Sequence, residues 1–557
     1  MGARVEGRPV PKLTLRVGVA GATTLENEAR LEVHTRDALE KIDAACAWVC
    51  EEYYKEMGSG GAEGFICHLI TSLADGADSL AARSRPNQYQ LHVILPFDLA
   101  NYRALQKDPS NLKDLLTGAA RVFEMDGTSA DGDAGLRRVS KMMVEHSDLL
   151  LLIGDPAGDG EITRLGAEDA AKLSIPRIRV TADGWSLVPG STTCSDLVET
   201  VRRILLPLRT PSTPAFPDGG RFENRFKNLT DIAGSEQEWR ERWPLSPEPG
   251  IQVVEAAFRK YWLWADHRAN SYAELHRGAY RMLAFFAAAA VACALAGIVN
   301  QGLSVPGKIV ELVILFLASL LWWRARHYRW RERWLNYRLL EQMLSHSATG
   351  ALLGQVVRPP VDHHTRAFHR DTAFGDWFLR SVVREAGITS AKADPTYLRA
   401  VRSLIQEGVV KKQQAYYQKK AHENRDIDHQ LERSSETLLL VTLAVTLVYL
   451  IMQAVFYYGG VAADCVQSVA FQIATIVGAG FPACAAVVAS IRAHGEHLQF
   501  ATRYEGMRDM LSGIQEDLES QELSLAGLAE FWSLVSQAEL GEVQDWRVLL
   551  HTKPLER

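Results

Sequence analysis

Apolar runs separated by helix-length stretches fill the first part of this chain: LTLRVGVAG from residue 13, a helical stretch reaching about Tyr54, then FICHLITSLADGADSLAA, LHVILPF, SDLLLLIGD and PRIRVTA. Strands that are apolar on consecutive positions are covered on both faces, and strands alternating with helices build parallel sheets. The expected fold class is therefore α/β, a doubly wound parallel sheet, over residues 1–206. Residues 207–249 are rich in Pro, Gly and charge (LPLRTPSTPAFPDGGRF, RWPLSPEPG) and are expected to be a connector.

Beyond residue 279 the alternation gives way to four longer apolar stretches, 280–299, 309–323, 438–458 and 466–491. Three of them reach the roughly 20 residues that a helix needs to cross about 30 Å of hydrocarbon at about 1.5 Å per residue. The stretch 309–323 is shorter and carries Glu311, which is expected to reach from the interface toward water. It must still cross, because basic flanks stand at both outer ends of the first pair. HRGAYR enters that pair and RARHYRWRERW leaves it, whereas the turn NQGLSVPGK holds only Lys308. HENRDIDHQLER and IRAHGEH flank the second pair, whose turn YYGGVAADC has no Lys or Arg. Positive flanks stay in the cytoplasm. The expectation is an all-α membrane region of two transmembrane hairpins with long cytoplasmic helices, multi-pass in the inner (cell) membrane, with the N- and C-termini cytoplasmic. Trp322, Trp323, Tyr457 and Tyr458 fall where interfacial aromatic belts sit. The opening residues have no apolar core of signal-peptide length, and Glu6 stands where a myristoylation pattern needs Ser or Thr, so neither cleavable export nor a lipid anchor is expected.

WRERWLNYRLLEQMLSH after the first pair has a counterpart, HLQFATRYEGMRDMLSG, after the second. Tyr337 and Tyr504, Met343 and Met510, Leu344 and Leu511, and Ser345 and Ser512 all stand 167 positions apart. The same offset carries the first pair roughly onto the second, which points to duplication, with modules at 250–349 and 350–557. On the hairpin layout, the YWLWADHRA and QAYYQKKA approaches and the Tyr337 and Tyr504 helices, residues 250–540 resemble the SLATT family, two-transmembrane modules found beside nucleotide sensors in prokaryotic defence systems. The resemblance implies pore formation. Within the spans, Ala474, Gly478, Ala486 and Ser490, interrupted by Pro482, suit close helix packing inside the chain or between subunits. Gln453, Gln467 and Gln472 are either pore lining or interhelical hydrogen-bond partners.

Composition narrows the partners. A net charge of −6 gives no general attraction to nucleic acid, so no nucleic-acid partner is expected. The seven cysteines are scattered without CxxC spacing and read as reduced packing residues. No HExxH, GxSxG or Walker loop is present, so neither a metal site nor a cofactor is expected.

In open parallel sheets ligands bind beyond the carboxyl ends of the strands, against helix N-termini. The candidate ligand-binding residues fall there: Gly21, Ala22 and Thr23 after the first strand, Ser72, Gly76, Ala77 and Asp78 in SLADGAD, Pro96, Phe97 and Tyr102 around VILPF, and Gly154 and Asp155 in IGD. Gly158, Gly160, Glu161, Thr163 and Arg164 in the GDGEITR turn complete them. There glycine lets backbone approach a phosphate or simply serves a strand-to-helix turn. Asp at a turn such as SLADGAD either binds ribose hydroxyls or caps a helix. On VGVAG, SLADGAD, VILPF and IGD with GDGEIT, residues 13–180 resemble the SLOG superfamily, Rossmann-like nucleotide-binding domains related to phosphoribohydrolases. The enzymatic branch carries a PGGxGTxxE loop, whereas PAGDGEITRLGAED lacks the double glycine and the GT pair. That departure favours binding over hydrolysis, and no catalytic residue is assigned.

Together these resemblances imply a nucleotide-signal-gated membrane effector of bacterial antiphage defence. Its ligand would be a cyclic nucleotide or an ADP-ribose/NAD derivative made by a separately encoded enzyme, and its working form a homo-oligomer in the lipid bilayer. The alternatives are a membrane-tethered nucleotide phosphoribohydrolase or N-glycosidase, and a channel with a regulatory nucleotide-binding domain.

Overall fold

The computed structural model of the chain describes residues 9–56, 64–155, 160–191, 196–206, 232–244, 246–299, 304–357, 369–459, 464–495, 497–520 and 522–551. The first part runs β1 (Leu13–Gly21), α1 (Glu28–Glu56), β2 (Phe65–Thr71), α2 (Ala77–Ser84), β3 (Tyr89–Phe97), α3 (Leu99–Leu105), α4 (Pro109–Thr117) and β4 (Ala119–Gly127). It continues through α5 (Gly132–Glu145), β5 (Leu149–Ile153), α6 (Glu161–Lys172), β6 (Arg177–Thr181), β7 (Gly184–Leu187) and α7 (Leu197–Leu205). The helical part comprises α8 (Ile232–Arg242), α9 (Pro249–Val299), α10 (Ser304–His327), α11 (Trp330–Leu352) and α12 (His369–Ala386). After a short strand, β8 (Ala391–Lys392), come α13 (Pro395–Ser403), α14 (Lys411–Gly459), α15 (Asp464–Gly495), α16 (His497–Ser520) and α17 (Leu525–His551).

Among the described residues the strands form one sheet in the order β7-β6-β5-β1-β2-β3-β4-β8. Every pairing is parallel except that of β6 with β7. Burial explains the apolar runs: Leu13 to Ala20 of β1 and all of β5 are buried at consecutive positions, so both faces of the sheet are covered. α1 contributes through Leu39, Ile42, Cys46, Val49 and Tyr53, spaced three and four apart along one stripe. β4, β7 and β8 carry no continuous apolar run. In β4, AARVFEMDG, most residues are half-buried, because the charged positions alternate with the apolar ones.

One compact unit gathers Met1–Ala269, Leu335–Val410 and Ile514–Lys553. The sheet is therefore finished from far along the sequence: β8 pairs with β4, placing Ala391 opposite Phe123 and Lys392 opposite Glu124. The stretch expected to be a connector contains α8, and its Trp239 and Trp243 are buried and stacked 5.4 Å apart. Pro and Gly at both ends of that stretch hid a helix whose tryptophans pack like core. Residues 207–231 lie outside the described ones.

A polar stripe, buried at Arg16, His68 and His92, crosses the sheet near the amino ends of its strands. Arg16 stands opposite His68, His68 opposite Gln90, and His92 opposite Arg121, so these side chains share one face. Asp148, just before β5, accepts from Arg16 Nε at 3.1 Å and from Arg384 Nε of α12 at 2.9 Å. The His68 and His92 rings lie 4.1 Å apart. Burial, reinforced by Arg16 and Arg121, pushes the His68 imidazole down to about 3. Burial and the neighbouring His68 hold His92 well below the usual histidine range. The turn after α12 lies against this pair, and Ile388 N–H points at His92 Nδ1 at 3.5 Å.

The other unit comprises Asn270–Trp334, Lys411–Gly513 and Pro554–Arg557. Among the described residues, four helices are long and apolar enough to cross a membrane. Leu312, Phe316, Leu443, Val448 and Phe471 are among the large apolar side chains they leave exposed. That is the surface of a membrane protein. α9 and α14 each continue an apolar span into a charged helical segment of the same helix. α14 packs along α15, and Arg492 of α15 grips Asp428 of α14 with two nitrogens, both at 2.9 Å. α15 comes close to α9 at Gly480, where an added Cβ would stand 2.9 Å from Leu295 Cδ1; at Gly478 it would meet nothing within 4 Å. Gln453 donates to Tyr449 OH at 2.9 Å within its own helix, and the Gln467 side chain lies outside the described ones.

α11 and α16 begin at residues separated by the same offset as the sequence repeat, Trp330 and His497. Each repeat tyrosine packs on an aromatic residue of the charged approach. Tyr337 meets Trp264 edge-on at 5.3 Å, and Tyr504 stacks on Tyr417 at 5.8 Å.

Candidate functional site

The chain lays down β1 to β4 outward in one direction and then returns to place β5 on the other side of β1. The carboxyl ends of β1 and β5 therefore flank the point where strand order reverses, which in parallel sheets leaves a crevice. Gly21 closes β1 there. A Cβ at Gly21 would stand 2.3 Å from Ile153 O and 2.4 Å from Ala77 Cβ, so strand β5 and helix α2 both approach its backbone directly.

The turn between β2 and α2 is fastened around one carboxylate. Asp78, in the first turn of α2, accepts from Ser72 N–H at 3.0 Å and from Ser72 Oγ at 2.5 Å. Burial pushes its carboxyl above the usual range, against the lowering effect of the Ser72 hydrogen bonds. Tyr102, buried beside Phe97 at 5.7 Å, donates its hydroxyl to Ser72 O at 3.1 Å. Ala77 N–H donates to Ala22 O at 3.1 Å, joining this turn to the one after β1. Asp75 serves elsewhere, accepting from Lys107 N–H at 3.0 Å.

The predicted residues thus divide by role. Gly21, Ser72, Gly76, Ala77, Asp78, Pro96, Phe97 and Tyr102 hold strand ends and turns in place, all but Gly21 and Gly76 buried. Thr163 is also buried and donates to Gly21 O at 2.9 Å, tying α6 to β1. Gly154 N–H donates to Val180 O at 2.9 Å while its carbonyl accepts from Arg179 Nη1 at 3.3 Å. Thr23, Asp155, Gly160, Glu161 and Arg164 are exposed, and Ala22 is half-buried among them. Gly158 lies outside the described residues.

α6 opens with Gly160 as its N-cap and no side chain capping its amides, and an added Cβ at Gly160 would meet nothing within 4 Å. An uncapped helix start with Arg164 one turn in favours an anion. Glu161 of the same turn is paired with Arg137 of α5, a residue that no motif singled out. Asp78 holds both the amide and the hydroxyl of Ser72, and both residues are buried, so the cluster fixes the backbone of this turn.

Asp78→Ala is expected to destabilise the domain by about 1–3 kcal/mol, because the Ser72 N–H and hydroxyl both donate to one oxygen of that carboxylate and would be left buried without an acceptor. A lowered thermal midpoint, with faster hydrogen exchange confined to the β2–α2 turn, checks this; an unchanged midpoint would count against it.

Neither the known family models nor the curated proteins give a match to this chain.

Proposed function

We propose that the chain is a membrane effector gated by a nucleotide-derived signal, a cyclic nucleotide or an ADP-ribose/NAD derivative, bound at the crevice between the β1 and β5 ends. The observation that carries this reading is the union, in one chain, of an order-reversing parallel sheet with an uncapped helix start beside the reversal and four exposed apolar helices. The Rossmann-like sheet supplies the phosphate-binding edge, and the two helix pairs act as hairpins in the cell membrane. Ligand acts by binding one state of the assembly more tightly than the other. Taking a membrane path from about 1% to about 99% open requires roughly 10⁴-fold differential affinity, within reach of a nucleotide's several charged contacts. Four helices of one chain cannot enclose a wide aqueous path, so the working form is a homo-oligomer. The resemblance to SLOG sensors and SLATT effectors supports a role in antiphage defence, with the signal made by a separate enzyme.

Purified protein in dye-loaded liposomes is expected to leak when one member of a cyclic-nucleotide and ADP-ribose panel is added, with that ligand recovered intact. Glu161→Gln should leave leakage intact and stability within about 1 kcal/mol of the parent, since it removes an exposed ion pair and no reacting group. Turnover of a ligand without leakage, abolished by the same substitution, would replace this reading with an enzyme on a membrane tether.

A further inference from the structure

The two helix pairs differ in the charge at their membrane borders. Around the first, residues 272–281 and 324–334 carry seven arginines against two glutamates. Around the second, residues 422–436 and 492–505 carry four arginines against seven carboxylates. Structure sharpens the contrast. In the second collar arginine is spent on neighbouring acids, Arg492 on Asp428 and Glu432, and Arg425 on Glu505 at 2.7 Å. In the first, Arg329 pairs with Glu332 at 3.3 Å and Arg324 lies over the Tyr328 ring, yet Arg277, Arg281, Arg324, Arg326 and Arg329 all remain exposed, and acids are too few to neutralise them. The two stretches of the first collar are brought together: Arg333 donates to Tyr272 OH at 3.2 Å, and the Arg277 guanidinium lies 5.7 Å from the Trp334 ring centre.

Depth follows from helix rise. From Val305 to Trp323, and again from Arg281 to Val299, about 19 residues at about 1.5 Å each cover about 28 Å, close to one hydrocarbon thickness. The arginines therefore stand at headgroup level. Exposed Trp322 and Trp323 lie at the same border, the first under the Arg326 guanidinium at 5.4 Å and the second stacked on His327 at 5.0 Å. Indole at the interface with guanidinium just beyond it matches a phospholipid, whose acyl boundary takes the ring and whose phosphate takes the fork of the arginine.

We propose that the collar of the first helix pair is a binding surface for anionic phospholipid headgroups, and that the second collar is not. The surface is independent of the nucleotide reading.

The test uses full-length protein in neutral detergent, titrated with phosphatidylglycerol or phosphatidylcholine, reading the thermal-unfolding midpoint and bound lipid by native mass spectrometry. Phosphatidylglycerol alone is expected to bind and raise the midpoint. R324Q/R326Q/R329Q should weaken that binding on the order of 100-fold, at about fivefold per arginine, while R425Q/R433Q/R503Q from the second collar should leave it intact. R324K/R326K/R329K should keep the preference for phosphatidylglycerol, since lysine retains the charge that an anionic headgroup attracts, and this variant separates lost binding from lost folding. Equal response to both lipids, or equal loss in the two glutamine triples, would overturn the proposal.

Discussion

Gly76→Ala is expected to cost about 3–5 kcal/mol and to abolish ligand-triggered leakage even where the domain still folds. Gly76 sits at φ 85°, ψ −121°, a region that residues with a Cβ avoid at about 1–3 kcal/mol. Its Cβ would also stand 2.4 Å from Ala22 O, 2.6 Å from Thr23 C and 2.7 Å from Thr23 O. All three are backbone atoms of the turn after β1, so no side chain can rotate away and the two turns must part. Overpacking against fixed atoms adds about 1–3 kcal/mol. The functional loss follows from place, since Ala22 and Thr23 border the crevice between the β1 and β5 ends. Gly160→Ala is the control. With nothing within 4 Å of its added Cβ, it should cost less than about 1 kcal/mol. Thermal unfolding in detergent, read beside liposome leakage, checks both; a Gly76→Ala protein with parental midpoint and leakage would show that the turns are not locked together.

Much of this arrangement is legible in the sequence because it depends on continuous burial. β1, β2, β3 and β5 announce themselves as apolar runs, since both sheet faces are covered there, β6 by its alternation of Arg177 and Arg179 with buried Ile178 and Val180, and the spans because lipid demands apolar surface at every position. β4 is hidden by Glu124 and Asp126, which a half-buried strand tolerates, and β8 by being two residues long. α8 is hidden by the prolines around it, although its Trp239 and Trp243 are core residues. At the candidate site the glycines and Asp78 are visible as turn chemistry. What sequence cannot supply is direction: Asp78 looks like a ribose ligand or a helix cap until its carboxylate is seen turned inward onto Ser72. The pairing of Glu161 with Arg137 joins residues from two helices with no pattern between them. The same holds for Arg16, Asp148 and Arg384, where 236 positions separate the last two.

That last cluster carries the second large expected effect. Asp148→Ala should destabilise the α/β unit by about 3–5 kcal/mol, because it strands two guanidiniums whose side chains are about as buried as the carboxylate itself. Arg384→Met should cost less, since Asp148 keeps Arg16, although Ile204 O then loses its 3.1 Å hydrogen bond from Arg384. Replacing all three at once, R16M/D148L/R384M, should recover most of the loss, for what is costly is an unpaired buried charge rather than the absence of an ion pair. If the triple variant is as unstable as Asp148→Ala, the cluster matters for some other reason. Acid supplies an independent check on the same edge of the sheet. Burial would push the Asp148 carboxyl up, but Arg16 and Arg384 outweigh it and hold the group down at about 2, below the unfolded value of about 3.9. Its contribution is therefore complete above about pH 4 and is lost as pH falls through 2. His68 and His92 are held neutral below their unfolded value of about 6.5, so the unfolded chain takes up protons first and stability declines from about pH 6.5 downward, by as much as about 1.4 kcal/mol per pH unit for each imidazole. The thermal midpoint should accordingly begin to fall near pH 6.5, well before the carboxylate titrates, and His68→Phe should about halve that early decline, since His92 remains, without removing the further loss that Asp148 adds below pH 4.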